Sequence, residues 1–308
     1  MKAARIQRFG PTNRITIDDL PRPEAGAGEL LVRVKAAGVG HWDALIREGK
    51  VKGEFLPLIL GSELSGVVEA IGDGASGFKT GDEVYGATNE RFTGAYAEYA
   101  LPFARRMAQK PKTLSFIEAA SVPVVAVMAW QMLFDYAHVT AGQTVLIHGA
   151  AGNVGAYAVQ LAKQAGLHVI ATAGSADFAY VYGLGAEKVA DYKKDQFEDS
   201  VIAVDVVVDT VGGDTQLRSL QVLKPSGILV SAVSSVPEAT RKRFAVRTAY
   251  FYEDVTTERL NKITELFDSE KLITDVGTVL PLEKARIAHD MLGGTPHKRG
   301  KIVLSVAT

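Results

Sequence analysis

The sequence predicts an α/β protein, a doubly wound parallel sheet inserted into a β-rich domain. Three observations predict it. Several strand-like runs are almost wholly apolar, helical segments alternate with them from about residue 118, and the preceding stretch is a series of short strands broken by Gly and Pro. Strands that are apolar on both faces belong in a sheet covered on both faces, and regular βα alternation makes that sheet parallel.

Taken in order, residues 30–37 (LLVRVKAA), 66–71 (GVVEAI) and 83–85 read as strands of the first domain. From Ser115 the texture changes. Helices are expected over 116–120 and 125–137, a strand over 144–148 (TVLIH), and an Ala-rich helix over 154–164. The alternation continues with strands at 168–172, 188–190, 204–209 (VDVVVD) and 228–232, and helices near 178–184 and 216–223. Residues 244–252 (FAVRTAYFY) read as an edge strand, 258–269 as an amphipathic helix, and the tail from 278 as β segments around a helix over 282–292.

A length of 308 residues with 47% apolar and 22% charged residues supports a sizeable core and two domains. Lys and Arg number 34 against 35 Asp and Glu, with no long single-sign run, which argues against a nucleic-acid partner. The absence of cysteine excludes disulfides, thiolate nucleophiles, iron–sulfur clusters and thiolate zinc sites. The opening residues MKAARIQRFG lack an apolar signal core, and no apolar run approaches the roughly 18 residues of a membrane span, so the expectation is a cytoplasmic protein without membrane association.

The strand 144–148 leads into Gly149-Ala-Ala-Gly152-Asn153-Val154-Gly155 and then a helix, the context of a dinucleotide-binding fingerprint. Gly152 lets the backbone approach a pyrophosphate, Gly155 lets helix and strand pack closely, and the helix N-terminus attracts the phosphate charge. Ala150 stands where the usual motif has its first glycine. Beyond the second strand, Ala173-Gly174-Ser175 replaces the acid that would hold the ribose hydroxyls of NADH. A carboxylate there would repel a 2′-phosphate, so the cofactor expected is NADPH, with NADH retained because Asp177 lies two residues beyond. Ser175 is also placed to cap a helix.

Eight blocks, among them 36–43 (AAGVGHWD), 56–72 (LPLILGSELSGVVEAIG), 145–163 (VLIHGAAGNVGAYAVQLAK), 184–192 (LGAEKVADY), 204–215 (VDVVVDTVGGDT) and 299–304 (RGKIVL), resemble the zinc-independent quinone oxidoreductases of the medium-chain dehydrogenase/reductase superfamily, in that family's order. The resemblance implies a Rossmann domain (118–278) inserted into a discontinuous GroES-like catalytic domain (1–117 and 279–308), with the active site in the cleft. Zinc-dependent relatives carry Cys at the position of Gly40 and His at that of Ser62, so no metal is expected. Asp43 is then expected to be a structural hydrogen-bonding residue of its loop, and Glu63 either an internal salt-bridge partner or a catalytic group.

By position, the resemblance assigns Gly152, Asn153, Val154 and Gly155 to the pyrophosphate and Ser175 and Tyr192 to the 2′-phosphate. It assigns Val211 and Gly212 to the path towards the nicotinamide, Ala232, Val233 and Ser234 to the carboxamide, and Phe251 and Tyr252 to the nicotinamide wall. Packing and turn roles remain open for Tyr192, Gly212, Phe251 and Tyr252. Gly40, Trp42 and Phe92 are candidates for the substrate pocket, and His41, expected to titrate near neutrality, shares the role of proton donor with solvent.

The activity implied is hydride transfer from NADPH to a quinone or an α,β-unsaturated carbonyl compound, a small-molecule substrate. The family's Asn, Thr and Tyr are replaced by Gly40, Met128 and Leu45, and no basic residue lies in 176–186. These departures keep open a second reading, an NADPH-binding sensor or scaffold with little turnover. Because 244–252 would form an open Rossmann edge, a homodimer paired through that strand is expected.

Overall fold

The computed structural model describes residues 1–53 and 55–307, and its contacts divide the chain into two units, Met1–Val124 with Val255–Thr308, and Val125–Asp254. The sequence reading drew these borders at 117/118 and 278/279. The helix Thr257–Asp268 falls with the first unit, where Tyr85 donates its hydroxyl hydrogen to Leu260 O (2.9 Å) and Thr257 donates to Met107 O (2.7 Å).

The first unit is the GroES-like domain, and its central strand is Leu30–Val39, buried at nearly every position because seven of its ten residues are Leu, Val or Ala. Strand Glu63–Ile71 runs antiparallel on one side of it and the C-terminal strand Lys301–Ser305 on the other, with Ile302 opposite Val39. Both ends of the chain therefore build one sheet. Beyond them lie Val276–Pro281 at one edge and Glu83–Ala87 and Met107–Gln109 at the other. A smaller sheet joins Ile15–Asp19, Lys2–Ile6 and Leu58–Ile59.

The second unit is a six-stranded, fully parallel sheet. Counted along the chain, Thr144–Ile147, His168–Ala173, Lys188–Asp191, Val204–Asp209, Leu223–Ser231 and Arg247–Tyr250 lie in the order 3-2-1-4-5-6. That is the doubly wound order, whose direction reverses between the first and fourth strands and opens a crevice at their carboxyl ends. Leu146, Val204, Val207, Leu220 and Leu229 are among the residues packing one face into a core.

Several elements differ from expectation: the helix expected over 216–223 is Gly213–Ser219, and the strand expected over 228–232 is Leu223–Ser231. The helix predicted over 125–137 is Pro123–Trp130 followed by π-helical turns over Gln131–Tyr136. The edge strand predicted over 244–252 is shortened to Arg247–Tyr250, because Glu238–Phe244 is helical. That segment has Pro237 at its N-cap and an i,i+4 pair between Glu238 and Lys242 (2.7 Å), and Ala245 in the left-handed region ends it.

Candidate functional site

In the second unit the first strand delivers the chain into a turn fastened to its neighbours. His148 N donates to Val208 O (2.9 Å), Thr210 Oγ1 donates to His148 O (2.8 Å), and Ala150 N donates to Thr172 O (3.1 Å). The helix Asn153–Gln164 starts after Gly152, an N-cap with no side chain to offer, so its first amides have no side-chain cap. A Cβ at Gly155 would stand 2.2 Å from Gly149 O, so only glycine lets the helix start this close to the turn. Gly152 N donates to Gly149 O (2.9 Å), and the amides of Asn153, Val154 and Gly155 follow at the uncapped helix N-terminus, an arrangement that fits a dinucleotide pyrophosphate.

His148 is fully buried below this turn. Ser219 Oγ gives its hydrogen to Thr215 O (2.6 Å), so it accepts from His148 Nε2 (2.8 Å), and His148 Nδ1 accepts from Thr172 Oγ1 (3.0 Å). Burial lowers the imidazole to about 4, keeping it neutral. Its role is to tie the first strand to the second strand and to the helix Gly213–Ser219.

At the end of the second strand, Ser175 is not a cap, since Gly174 and Asp177 hold those positions. Its side chain hydrogen-bonds Asp191, the last residue of the third strand. The Lys193 amide (3.0 Å), followed by Ser175 and Lys194 (3.6 Å), holds that carboxyl below the usual range. Tyr192 is exposed and Lys193 Nζ lies 5.7 Å from its ring centroid. An acid is therefore present beside Ser175 after all, supplied by the third strand rather than the second.

Val211 and Val233 are exposed on the loops after the fourth and fifth strands, and Gly212, at φ +76°, sits where a Cβ would press within 2.8 Å of Val233 Cγ1. Ala232 N donates to Asp209 O (3.0 Å), and Ser234 follows on the same loop. Phe251 is buried and stacked on Tyr136, centroids 4.0 Å apart and planes within 15°, whereas Tyr252 is exposed.

In the first unit, the helix His41–Arg47 starts after Gly40. Asp43 is buried and accepts from Gly40 N (2.8 Å), from Tyr96 OH (2.9 Å) and from the Ser62 hydroxyl. Burial outweighs these donors and pushes its carboxyl up to about 6. Glu63 pairs with Lys301 (2.6 Å), both side chains almost fully buried, and its other oxygen accepts from Val124 N (2.8 Å).

These contacts test the fit of a metal. Glycine and serine stand at the two positions where zinc-dependent relatives have Cys and His, and a Cβ at Gly40 would lie 3.2 Å from the Lys301 ammonium. A buried cation against Gly40 and Glu63 does not fit a zinc site. Among the described residues no group of three metal-ligating side chains comes together.

The helix separates the remaining candidates. His41, Ala44, Leu45 and Glu48, spaced i, i+3, i+4, i+7, line a cavity of about 610 Å³ together with Ile287 and His289. Trp42 instead meets Phe92 edge-on at 6.3 Å. The structure thus joins Trp42 to Phe92 and turns His41 to another face. Partial desolvation, then the charge of Lys301, lowers His41 below its ordinary value. The buried His289 accepts at Nδ1 from Arg47 (3.1 Å) and is lowered to about 3 by burial.

A doubly wound dinucleotide-type sheet inserted in a GroES-like domain defines a medium-chain dehydrogenase/reductase. Residues 26–112 match the alcohol dehydrogenase GroES-like domain, and residues 184–304 the zinc-binding dehydrogenase domain. The chain is 30% identical to the quinone oxidoreductase of Rattus norvegicus, over 99% of this chain and 97% of that protein. The solved quinone oxidoreductase of Coxiella burnetii superposes with a TM-score of 0.91 at 32% identity, covering 100% of this chain and 99% of that one. The mycobacterial protein Rv1454c, solved complexed with NADPH, gives 0.88 at 30% identity, covering 99% of this chain and 100% of that one.

The chain belongs to the quinone oxidoreductase family of the medium-chain dehydrogenase/reductase superfamily, and is an oxidoreductase that uses a nicotinamide cofactor. No helix among the described residues is long and apolar enough to cross a membrane.

Proposed function

We propose that this protein is an NADPH-dependent reductase of quinones or α,β-unsaturated carbonyl compounds that works without a metal. The observation that carries the reading is the uncapped helix start at Asn153, opened by Gly155 against Gly149 O at the point where the sheet order reverses. A bound reduced nicotinamide supplies the hydride. The protein supplies position: the amides of Asn153 to Gly155 hold the pyrophosphate, Ser175 and Tyr192 flank the 2′-phosphate with Lys193 and Lys194 beside them, and the loops carrying Val211, Gly212, Ala232, Val233 and Ser234 orient the nicotinamide half. The exposed Tyr252 would wall the nicotinamide, and the buried Phe251, stacked on Tyr136, would support the segment from the core.

Half-buried Trp42, backed edge-on by the buried Phe92, is assigned to the substrate side with Gly40. Solvent and His41 share the role of donor for the proton that completes reduction, and the lowering of His41 favours solvent. NADH remains the alternative coenzyme because Asp191 lies beside Ser175. The outer edge of Arg247–Tyr250 pairs with no strand among the described residues, and pairing with a second copy across a twofold axis would cover it.

Steady-state oxidation of NADPH with 1,2-naphthoquinone, 9,10-phenanthrenequinone and short enones tests the activity. Turnover with any of these supports it. Tight cofactor binding with negligible turnover across the panel would favour the sensor reading instead. Sedimentation as a monomer at all concentrations would exclude the dimer.

A further inference from the structure

We propose that Asp209, acting through Ser231, is the positioning residue that holds the nicotinamide half of the cofactor site, an inference that rests on the proposed use of a pyridine dinucleotide. Asp209 ends the fourth strand and Ser231 stands directly opposite it at the end of the fifth. Both side chains are fully buried, in a sheet whose other strand-end positions are largely apolar. A buried carboxylate is costly unless its lone pairs are filled, and here all the filling groups come from the two cofactor loops or the helix between them.

One oxygen, Oδ1, accepts from Val211 N (3.0 Å) and Gly212 N (2.8 Å). The other, Oδ2, accepts from Gln216 Nε2 (2.9 Å) and Ser231 Oγ (2.8 Å). Because the only hydroxyl hydrogen of Ser231 goes to Asp209, its oxygen is left as an acceptor, and it takes Val233 N (3.1 Å) and Ser234 N (3.3 Å). Gln216 closes the ring by donating its second hydrogen to Ser234 O (2.9 Å). One carboxylate thus sets the turn at Val211 and Gly212 directly, and the turn at Val233 and Ser234 through one hydroxyl.

The arrangement fixes the spacing of two exposed valines, Val211 and Val233, and keeps the amides of both turns committed inward. What these loops present to a ligand is therefore their outer backbone and the valine side chains, held in one geometry before anything binds. Among the described residues no hydrogen bond of the network reaches Gly152 to Gly155, Ser175 or Tyr192, although Val211 packs beside Gly149 at the start of the glycine turn. The network consequently bears on one half of a dinucleotide and not on the other.

That asymmetry provides the test. Ser231→Ala and Asp209→Asn are compared with the wild-type protein for binding of NADPH and of 2′,5′-ADP, which occupies only the adenosine end, by fluorescence and calorimetric titration. The expected result is NADPH affinity weakened about tenfold in Asp209→Asn and about threefold in Ser231→Ala, as for loss of one or two buried hydrogen bonds, with 2′,5′-ADP within about twofold of wild type. NADPH affinity within twofold of wild type in Ser231→Ala, or equal losses for both ligands, would overturn the proposal. Should Asp209→Asn fail to fold, Ser231→Ala decides alone. Failure of the wild-type protein to bind either ligand would instead refute the dinucleotide reading itself.

Discussion

Replacing Lys301 with Met should destabilise the GroES-like unit far more than loss of a surface ion pair. Lys301 Nζ and Glu63 Oε1 are 2.6 Å apart with side chains 4% and 2% exposed, so neither charge can fall back on water. In Lys301→Met, Glu63 keeps a single donor, the Val124 amide at 2.8 Å, and a nearly bare carboxylate remains buried. Breaking a buried pair from one side typically costs about 3–5 kcal/mol, whereas an exposed pair is worth about 0–1 kcal/mol.

The double variant Glu63→Gln with Lys301→Met removes both charges and should recover most of that loss, giving a coupling of about 2 kcal/mol or more in the cycle. Urea denaturation of the four proteins, followed by tryptophan fluorescence and far-ultraviolet circular dichroism, measures it. A loss below about 1 kcal/mol in Lys301→Met, or a double variant as unstable as the sum of the singles, would refute the reasoning.

Asp43 gives a pH signature. Its folded carboxyl is raised from 3.8 to about 6, so protonation favours the folded state: its contribution is complete below pH 3.8 and disappears as pH rises through 6. The stability difference between wild type and Asp43→Asn should therefore shift by about 2 kcal/mol against the wild type between pH 4 and pH 7, and a difference flat with pH would contradict it. His148, lowered to about 4, acts in the opposite sense, stabilising above pH 6.5 and losing that stabilisation as pH falls towards 4; His148→Gln should be less acid-sensitive over that window. Asp191→Asn removes a negative charge beside Ser175 and should raise the ratio of kcat/KM for NADPH over NADH by about fivefold, roughly 1 kcal/mol of like-charge repulsion. An unchanged ratio would show that the carboxylate does not face the 2′ position.

Much of this architecture was legible because its signals are local. The apolar run VDVVVD can sit only in a sheet covered on both faces, and the glycines around Asn153 announce a tight strand-to-helix turn. The groups that organise the site were less legible because their partners are distant in sequence. Asp209 meets Ser231 22 residues on, and Glu63 meets Lys301 across the whole inserted unit. A charged residue closing an apolar strand was the available signal for Asp209.

Asp191 is not legible from the motif spacing because the ribose-binding acid of that motif ends the second strand, whereas the parallel ladder places Ala173 beside the third strand's last residue. The lowering of His41 had no sequence signal, because partial burial and the Lys301 ammonium that cause it come from the fold. The edge strand is shorter than expected because the apolar run Phe244-Ala245-Val246 fits a helix end as well as a strand, and the preceding Glu238–Lys242 spacing favours the helix.

Calorimetric titration of NADPH and NADH into the wild-type protein and into Gly155→Val tests the central claim most directly. The side chain of the variant would begin 2.2 Å from Gly149 O and obstruct the helix start. One saturable site per chain in the wild type, lost in a Gly155→Val protein that still folds, is the predicted result. Absence of heat with either dinucleotide in the folded wild type, or undiminished binding by the variant, would contradict it.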